Sequence, residues 1–333
     1  MHEKLTNSRD NSFDMVKGIC IVLMIAGHCF LPETPHKIIF SFHMPVFFII
    51  AGFFARKKTL VSFVITSCKR LLIPYSVVYF FCLAVGNVLY DVLMDSTYFY
   101  SILNVKEPLF SVSMLKGGIL PVWFLFALFW CRIIFVLILR IRKDVYKIII
   151  CLIIPLISIN LYVYGKWPFS LLAGFAAIGF YGMGYFVNKN GFLKNEQIWR
   201  MVPLGLLCWF VCLFPSTKFL DMIHNSYNGY YVLDCLGALS IFFILYIVVS
   251  KSKSNNIMWS FLNWCGKNSL IILCVHSVEF NFIDFLSIKT LIRGMFSWYA
   301  IYIVVILRVI FDVTLTYLIA RSRLIKKYIF MQE

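Results

Sequence analysis

Residues 14–28 read DMVKGICIVLMIAGH, an apolar segment with an acid and a lysine near its start and a histidine at its end. Ionisable side chains are costly inside a lipid bilayer and are rare in membrane-spanning helices. A segment that is apolar enough to cross a membrane and still holds Asp14, Lys17 and His28 predicts a transmembrane helix with a functional face.

The composition of the whole chain agrees with a membrane location. Of the 333 residues, 61% are hydrophobic and 14% are charged, and the mean hydropathy is +0.86. Soluble domains have roughly 45–50% apolar and about 25% charged residues. We therefore predict an all-α protein, a polytopic transmembrane helical bundle. The polar first twelve residues predict that no cleavable leader precedes it.

Runs of about 17–25 apolar residues, the length needed to cross a bilayer, predict about ten spans. The spans are 15–33, 37–55, 71–90, 119–139, 147–164, 168–187, 201–217, 230–250, 268–286 and 297–320. The short connection at 31–36 predicts that the first two spans are antiparallel neighbours. The loops are too short for a soluble domain, so residues 1–333 are expected to form a single membrane-embedded domain.

Charge distribution predicts the orientation of the spans. With both termini cytoplasmic, the inner segments hold 21 lysines and arginines and the outer loops hold seven, as the positive-inside rule requires. The same bias explains the net charge of +16, so we expect membrane lipids and no nucleic acid as partners. The eleven cysteines contain no CxxC pair, which argues against a metal site and a disulfide framework.

One face of the first span carries three ionisable residues. Lys17 and His28 are eleven positions apart, which at 100° per residue amounts to three turns and about 20°. Asp14 lies within about 60° of both. The lysine and the histidine are separated by roughly 16.5 Å along the helix axis. We therefore expect a cation at the cytoplasmic entrance below an imidazole near mid-membrane, with a polar track between them.

Other intramembrane charges have a structural alternative. Arg308 and Asp312 are four residues apart on the last span, the spacing of an intrahelical ion pair. Arg132 and Asp234 lie on different spans and either pair across the bundle or mark a site. Glu279 and Asp284 lie toward the outer end of the ninth span, where solvated rim residues are expected.

The chemistry of the first span suits transfer of a group from an anionic donor. Lys17 would hold an anionic part of a ligand that enters from the cytoplasm. The neutral imidazole of His28 would take a proton from a hydroxyl, since histidine titrates near physiological pH. A phosphate-bearing acyl donor with a long thin arm would fit this arrangement.

Five motifs in chain order extend this interpretation. DMVKGICIVLMIAGH is followed by IIFSFHMPVFFIIAGFFARK (38–57), KRLLIPY (69–75), PVWFLFALF (121–129) and WCGKNSLIILCVH (264–276). The chain resembles the acyltransferase-3 family of integral membrane acyltransferases over about residues 13–280, and most closely its fucose O-acetylase-like branch. The resemblance implies a ten-helix membrane enzyme, an O-acetyltransferase that moves acetyl from acetyl-CoA to a hydroxyl of a cell-envelope or exported polysaccharide.

The resemblance also implies roles for individual residues. His28 takes the catalytic histidine position, and Lys17 stands where the family has arginine, which replaces a two-pronged donor with a point charge. His43 orients His28, contacts the acceptor, or caps a helix turn beside Pro45. Asp14 would hold Lys17 in place, so both are expected at the donor site with acetyl-CoA as co-substrate and no metal.

Four further residues follow from their places in the motifs. Lys69 and Arg70 either contact the phosphates of the donor or anchor the cytoplasmic side, since the family's second basic motif is not intact here. Trp123 and His276 are expected to bind substrate, either a sugar or the arm of the donor. The implied partner is a glycan or a lipid-linked sugar acceptor, and the implied location is the bacterial cytoplasmic membrane.

Two other functions fit a bundle of this kind. The first is a transporter or flippase for a lipid-linked sugar, with Lys17 and His28 lining a conduit, although no repeat between the two halves is evident. The second is a catalytically silent assembly partner, against which the presence of His28 and His43 argues. Label from acetyl-CoA in a product would identify the enzyme.

Overall fold

A computed structural model describes residues 10–29, 31–93, 113–115, 118–119, 121–164, 167–194, 198–213, 220–227, 230–252, 256–283 and 285–331. These residues form a helical bundle. Its first elements are α1 (Asn11–Gly27), α2 (Glu33–Phe40), α3 (His43–Phe53), α4 (Leu60–Ser67), α5 (Ile73–Leu93), the antiparallel pair β1 (Ser113–Leu115) and β2 (Gly118–Ile119), α6 (Trp123–Ile138) and α7 (Asp144–Tyr162). The others are α8 (Leu171–Ala176), α9 (Ile178–Lys189), α10 (Ile198–Leu213), α11 (Tyr231–Ser250), α12 (Ile257–Lys267), α13 (Ser269–Phe282), α14 (Phe285–Phe296), α15 (Ala300–Arg321) and α16 (Arg323–Tyr328).

Several of these helices have the length and composition of membrane spans. Within the described residues, five segments qualify alone, and seven qualify if two bent helix pairs each count as one span. The bends are 47° between α8 and α9 and 78° between α13 and α14. The polytopic helical bundle is thereby confirmed. The number of ten spans and the cytoplasmic position of both termini stay predictions, and span positions 30, 120, 214–217 and 284 lie outside the described residues.

The outer surface of the bundle is apolar, as a protein surrounded by lipid requires. Along α7 one face of the helix exposes large hydrophobic side chains, which in a soluble protein would mark an interaction or aggregation surface. These are Val145, Ile148, Ile149, Leu152, Ile153, Leu156 and Ile157. The same holds for α15 at Tyr302, Ile306 and Ile310. Both helices therefore face the bilayer.

The connection between the first two predicted spans is more helical than expected. The predicted loop at 31–36 is a loop only at its start, because α2 begins at Glu33. Pro35 is compatible with this helix because the first-turn N–H groups have no intrahelical partner anyway. Two turn residues, Ser41 and Phe42, separate α2 from α3 within the predicted span 37–55, and Glu33–Phe53 still qualifies as one membrane span. His43 is the first residue of α3.

Two helices lie between predicted spans. The helix α12 occupies residues 257–267 just before the predicted ninth span, and α14 occupies most of the predicted loop 287–296. Both contain polar residues at helical spacing, so neither has the continuous apolar run by which spans were predicted. Their existence changes the surroundings of α1, because α12 is the helix that packs most extensively against it.

Glycines allow α1 and α12 to approach backbone to backbone. A Cβ at Gly18 would overlap the backbone carbonyl of Leu262, and a Cβ at Gly266 would overlap the backbone carbonyl of Asp14. Small residues at such crossings are typical of helix pairs in membranes. The crossing fixes the N-terminal half of α1 against α12.

Candidate active site

His28 follows the last residue of α1 and ends the helix. Its imidazole Nδ1 lies 2.8 Å from the backbone carbonyl oxygen of Met24. A carbonyl can only accept a hydrogen bond, so Nδ1 carries the proton, and Nε2 of the neutral ring is unprotonated. His28 is half-buried and lines an internal cavity. It therefore has the free basic nitrogen that a general base needs, facing a hollow rather than lipid.

A buried arginine holds the end of α1 in place. The Arg308 side chain on α15 donates a hydrogen bond from Nη1 to the backbone carbonyl oxygen of His28 at 2.7 Å. The last carbonyls of a helix lack intrahelical partners, and a cation beside them is favourable. Nη2 of the same guanidinium lies 2.8 Å from Oε2 of Glu279 on α13. Arg308 thus links three helices at the level of His28.

His276 lies between two carboxylates and next to His28. Its Nδ1 is 2.8 Å from Asp312 Oδ2 and 3.1 Å from Glu279 Oε2, and its ring centroid is 5.3 Å from that of His28. All four side chains of the cluster are at most 2% exposed. Two carboxylates and one guanidinium leave one negative charge, which a protonated His276 would cancel. Because an uncompensated buried charge is expensive, charge balance favours the imidazolium form.

This cluster corrects two expectations drawn from the sequence. Arg308 makes its ion pair with Glu279 and Asp312 makes its contact with His276, so the expected pairing of Arg308 with Asp312 is replaced by contacts between α13 and α15. Glu279 is fully buried rather than a solvated rim residue. Asp284 lies outside the described residues.

The cluster also has the donor atoms of a metal site. One ligand atom each from His276, Glu279 and Asp312 lies within 4.8 Å of the others. The distances of 2.8 Å and 3.1 Å from the imidazole to the carboxylates are those of hydrogen bonds, and Arg308 already occupies Glu279 Oε2. These contacts fit a proton better than a metal ion. The absence of a metal from the reaction stays a prediction.

The second histidine motif places its side chain at the same level as His28. The imidazole of His43 is 1% exposed, and its Nδ1 lies 2.7 Å from the carbonyl oxygen of Ile39. The ring of Phe40 lies between the two histidines, 5.8 Å from His28 and 5.0 Å from His43. His43, the first residue of α3, thus lines the same cavity as His28.

The cavity beside His28 has a volume of about 280 Å³. Its lining combines apolar and aromatic side chains with three imidazoles and one carboxylate among the described residues. The lining residues are Met24, His28, His36, Phe40, His43, Met44, Pro121, Trp123, Leu220, Asp221, Met222, Ile223, Leu273 and Phe280. Trp123, predicted to bind substrate, therefore lines the same hollow as His28 and His43. His276 is fully buried behind it, against the His28 ring, and is not among the lining residues.

Sequence reasoning missed one wall of this cavity. Residues 220–223 follow α10, and Asp221 is the lining carboxylate. His36 and Phe40 of α2 complete that wall, with their rings stacked at 4.1 Å. Phe40 lies in the motif at 38–57, but no motif marks His36 or residues 220–223. Only the fold places the Asp221 carboxylate on the same cavity as His28.

The predicted donor residues lie at the other end of α1. Lys17 Nζ is 2.6 Å from Asp14 Oδ1, and the Asp14 side chain is buried. The side chains between Lys17 and His28 on this face are Ile21 and Met24, both buried. The expected polar track along α1 is therefore wrong, since the face is apolar between its two ends. Lys17 is not among the described lining residues of the His28 cavity.

The structure does not bring Lys69 and Arg70 to the His28 cavity. Both lie in the π-helical turn Cys68–Leu72 that joins α4 to α5, and both are exposed. Lys69 lines a separate open groove that shares no described lining residue with the His28 cavity. A role in donor binding stays a prediction, as does anchoring at the cytoplasmic surface.

Comparison with known families covers nearly the whole chain. The family model Acyl_transf_3, described as "Acyltransferase domain", matches residues 10–316. This range includes His28 at the end of α1. It also includes His276 and Glu279 on α13, and Arg308 and Asp312 on α15. No solved structure matches the chain.

Two curated relatives match shorter parts of it. A nodulation protein NolL of Mesorhizobium japonicum is 30% identical over 139 residues, which is 37% of this chain and 34% of the relative. A nodulation protein NolL of Sinorhizobium fredii is 40% identical over 60 residues, 15% of this chain and 16% of the relative. The matches therefore span about a third of the length of the first relative and about a sixth of the second.

Proposed function

The chain belongs to the Acyl_transf_3 acyltransferase family, and from this premise we propose that it is an O-acetyltransferase that moves acetyl from acetyl-CoA to a hydroxyl of a cell-envelope or exported polysaccharide. The observation that carries the proposal is the cavity at the end of α1, into which His28 offers an unprotonated Nε2. The apolar bundle and the bacterial relatives support a place in a bacterial cytoplasmic membrane. The fucose O-acetylase-like branch belongs to the same proposal.

His28 acts on the attacking hydroxyl. Its Nε2 takes the hydroxyl proton while the hydroxyl oxygen forms a bond to the thioester carbonyl carbon. When the resulting tetrahedral species collapses, the carbon–sulfur bond breaks, and the same proton passes from Nε2 to the departing thiolate. No net proton is gained or lost. The Nδ1–H bond to Met24 keeps the ring in the required tautomer throughout.

The same geometry supports a two-step variant. Nε2 of His28 attacks the thioester carbon and the thiolate departs. The hydroxyl then attacks the acetyl carbon, the bond from this carbon to Nε2 breaks, and the hydroxyl proton passes to the thiolate. Mixing the protein with acetyl-labelled donor and no acceptor, followed by rapid denaturation at neutral pH, separates the two routes. Label bound to the protein, and lost from a His28 variant, indicates the two-step route. Its absence indicates direct transfer.

Full-length protein in lipid nanodiscs, with acetyl-labelled CoA and envelope glycan, tests the proposal. Wild type is expected to label the glycan, and His28→Ala is expected to lose on the order of 10²–10⁴-fold in turnover. His28→Asn is the matched variant, because its amide still has an N–H for the Met24 carbonyl but no basic nitrogen. It is expected to be as inactive as His28→Ala.

Addition of free imidazole to the His28→Ala variant provides a rescue experiment. The His28→Ala variant leaves space next to the cavity, so free imidazole is expected to restore part of its turnover. Undiminished turnover in both folded variants would refute the assignment of His28. Movement of unmodified sugar across the bilayer without label transfer would identify a transporter instead.

A further inference from the structure

Residues 220–227, the described part of the connection between α10 and α11, form a loop that is held against the cavity. Asp221 and Ser226 exchange backbone hydrogen bonds of 2.8 Å and 2.9 Å, which closes the loop on itself. Asn225 turns the chain at φ +47°, and its amide Nδ2 lies 3.3 Å from the hydroxyl oxygen of Ser158 on α7. Leu220 and Met222 are buried in the bundle. The loop is therefore a fixed wall rather than a loose cover.

The carboxylate of Asp221 is pre-oriented within this wall. One oxygen accepts the backbone N–H of Ile223 at 3.2 Å, and the other is 2.7 Å from Nδ1 of His224. The side chain is 20% exposed, and Asp221 lines the cavity with His28. An ionised carboxylate has about four acceptor sites, so these two bonds leave capacity for hydrogen bonds from a bound molecule.

The rest of the wall is aromatic. Phe40 and the imidazole of His36 stack on each other, and Trp123 lies on the same cavity. Small-molecule sites are typically apolar clefts with a few placed polar groups. The volume of about 280 Å³ is just under the roughly 300 Å³ at which pockets for small organic ligands begin. It accommodates one ring-sized unit and not an oligosaccharide.

We propose that this wall, formed by Asp221, His36 and Phe40, is the binding site for one uncharged sugar residue of the acceptor, with Asp221 accepting hydrogen bonds from its hydroxyls. The inference rests on the proposed function. Hydroxyls donate to a carboxylate, whereas an acidic sugar would place a second negative charge beside it. The site therefore selects neutral sugars over uronic acids and presents a hydroxyl toward Nε2 of His28.

Matched acceptors test the inference. The protein in nanodiscs receives acetyl-labelled CoA and either neutral methyl glycosides or the uronates that differ from them only by a carboxylate. Wild type is expected to acetylate the neutral members preferentially. Asp221→Asn keeps an acceptor oxygen for the Ile223 N–H, so the loop persists. Its KM for neutral acceptors is expected to rise on the order of 10- to 100-fold, the worth of a charge-assisted hydrogen bond.

Two readouts separate this role from a general loss of function. Asp221→Asn is expected to lose the preference for neutral over uronate acceptors, because the KM for neutral acceptors rises while the KM for uronates does not. A general loss of function would instead affect both classes of acceptor alike. Glu33→Gln is the matched control, because Glu33 is an exposed carboxylate at the start of α2 that is not among the lining residues. It is expected to behave as wild type in both assays.

The failures are distinguishable. No labelled glycoside with wild type and any acceptor would overturn the proposed function. If wild type transfers the label and Asp221→Asn has the wild-type KM and the wild-type preference for neutral acceptors, the sugar site alone is overturned. If Asp221→Asn does not fold, Asp221→Glu replaces it. This variant keeps the charge on a longer arm, so raised KM with retained preference supports the site, and wild-type KM overturns it.

Discussion

Arg308 and His28 are 280 positions apart in the chain, yet the guanidinium of one donates a 2.7 Å hydrogen bond to the backbone carbonyl of the other. The contact fixes the end of α1 against α15. It also couples the orientation of His28 to the ion cluster, because the same guanidinium bonds Glu279 and Glu279 contacts His276. His28 is therefore held at two points: its ring by the backbone carbonyl of Met24, and its own backbone carbonyl by Arg308.

Arg308→Lys is expected to separate the effect of the positive charge at this position from the effect of the two hydrogen bonds that the guanidinium makes. Lysine keeps the cation that balances the two carboxylates but lacks the planar fork that reaches both Glu279 and the His28 carbonyl. We expect a small change in thermal midpoint and a fall in turnover of roughly 10- to 100-fold, the usual effect of losing a supporting contact. Arg308→Met removes the charge and is expected to destabilise by about 3–5 kcal/mol. Thermal unfolding and label transfer on the same samples measure both, and equal turnover in wild type and Arg308→Lys would contradict the positioning role.

The two carboxylates of the cluster are expected to differ in importance for stability. Asp312→Asn removes a negative charge that His276 can compensate by releasing a proton. Glu279→Gln removes the carboxylate partner of Arg308, and arginine cannot deprotonate. Glu279→Gln is therefore expected to cost about 3–5 kcal/mol and Asp312→Asn clearly less, as measured by chemical or thermal unfolding in nanodiscs. The opposite order would show that the contact between Arg308 and Glu279 is not the more important pairing in the cluster.

The existence of most helices and the position of His28 at the end of α1 could be predicted, because both depend on local sequence pattern. Apolar runs identified most of the bundle, and the spacing of Lys17 and His28 placed them on one face of α1. The partners of Arg308 could not be predicted, since the choice between Asp312 on its own helix and Glu279 on α13 depends on how α13 and α15 pack. Asp221 could not be predicted either, because its loop reaches the cavity only through tertiary contacts such as that between Asn225 and Ser158.

The crossing of α1 and α12 gives a prediction about stability. A Cβ at Gly18 would overlap the backbone of Leu262, which has no rotamer to change. Gly18→Ala is expected to cost several kcal/mol or to prevent folding, as overpacking against an immovable group typically costs about 1–3 kcal/mol or more. Gly294→Ala is the control, because a Cβ there would meet no described atom within 4 Å outside its own stretch of helix backbone. Within helix α14 this change is expected to stabilise by up to about 1 kcal/mol, and similar thermal midpoints for the two variants would refute the backbone contact.

Lys17 is expected to contribute to binding of the donor acetyl-CoA rather than to the acetyl-transfer step. Lys17 lies roughly 16.5 Å along the axis from His28, too far to contact the reacting atoms but suited to a phosphate at the far end of a long donor. Lys17→Met is expected to raise the KM for acetyl-CoA about tenfold, the scale of one surface-exposed charge contact, with little change in kcat. Lys17→Arg is expected to keep the wild-type KM for acetyl-CoA, since arginine binds phosphate at least as well as lysine. Raising ionic strength should weaken donor binding in wild type more than in Lys17→Met. A fall in kcat at unchanged KM in Lys17→Met would instead place the lysine in the chemical step and contradict donor binding at this end of α1.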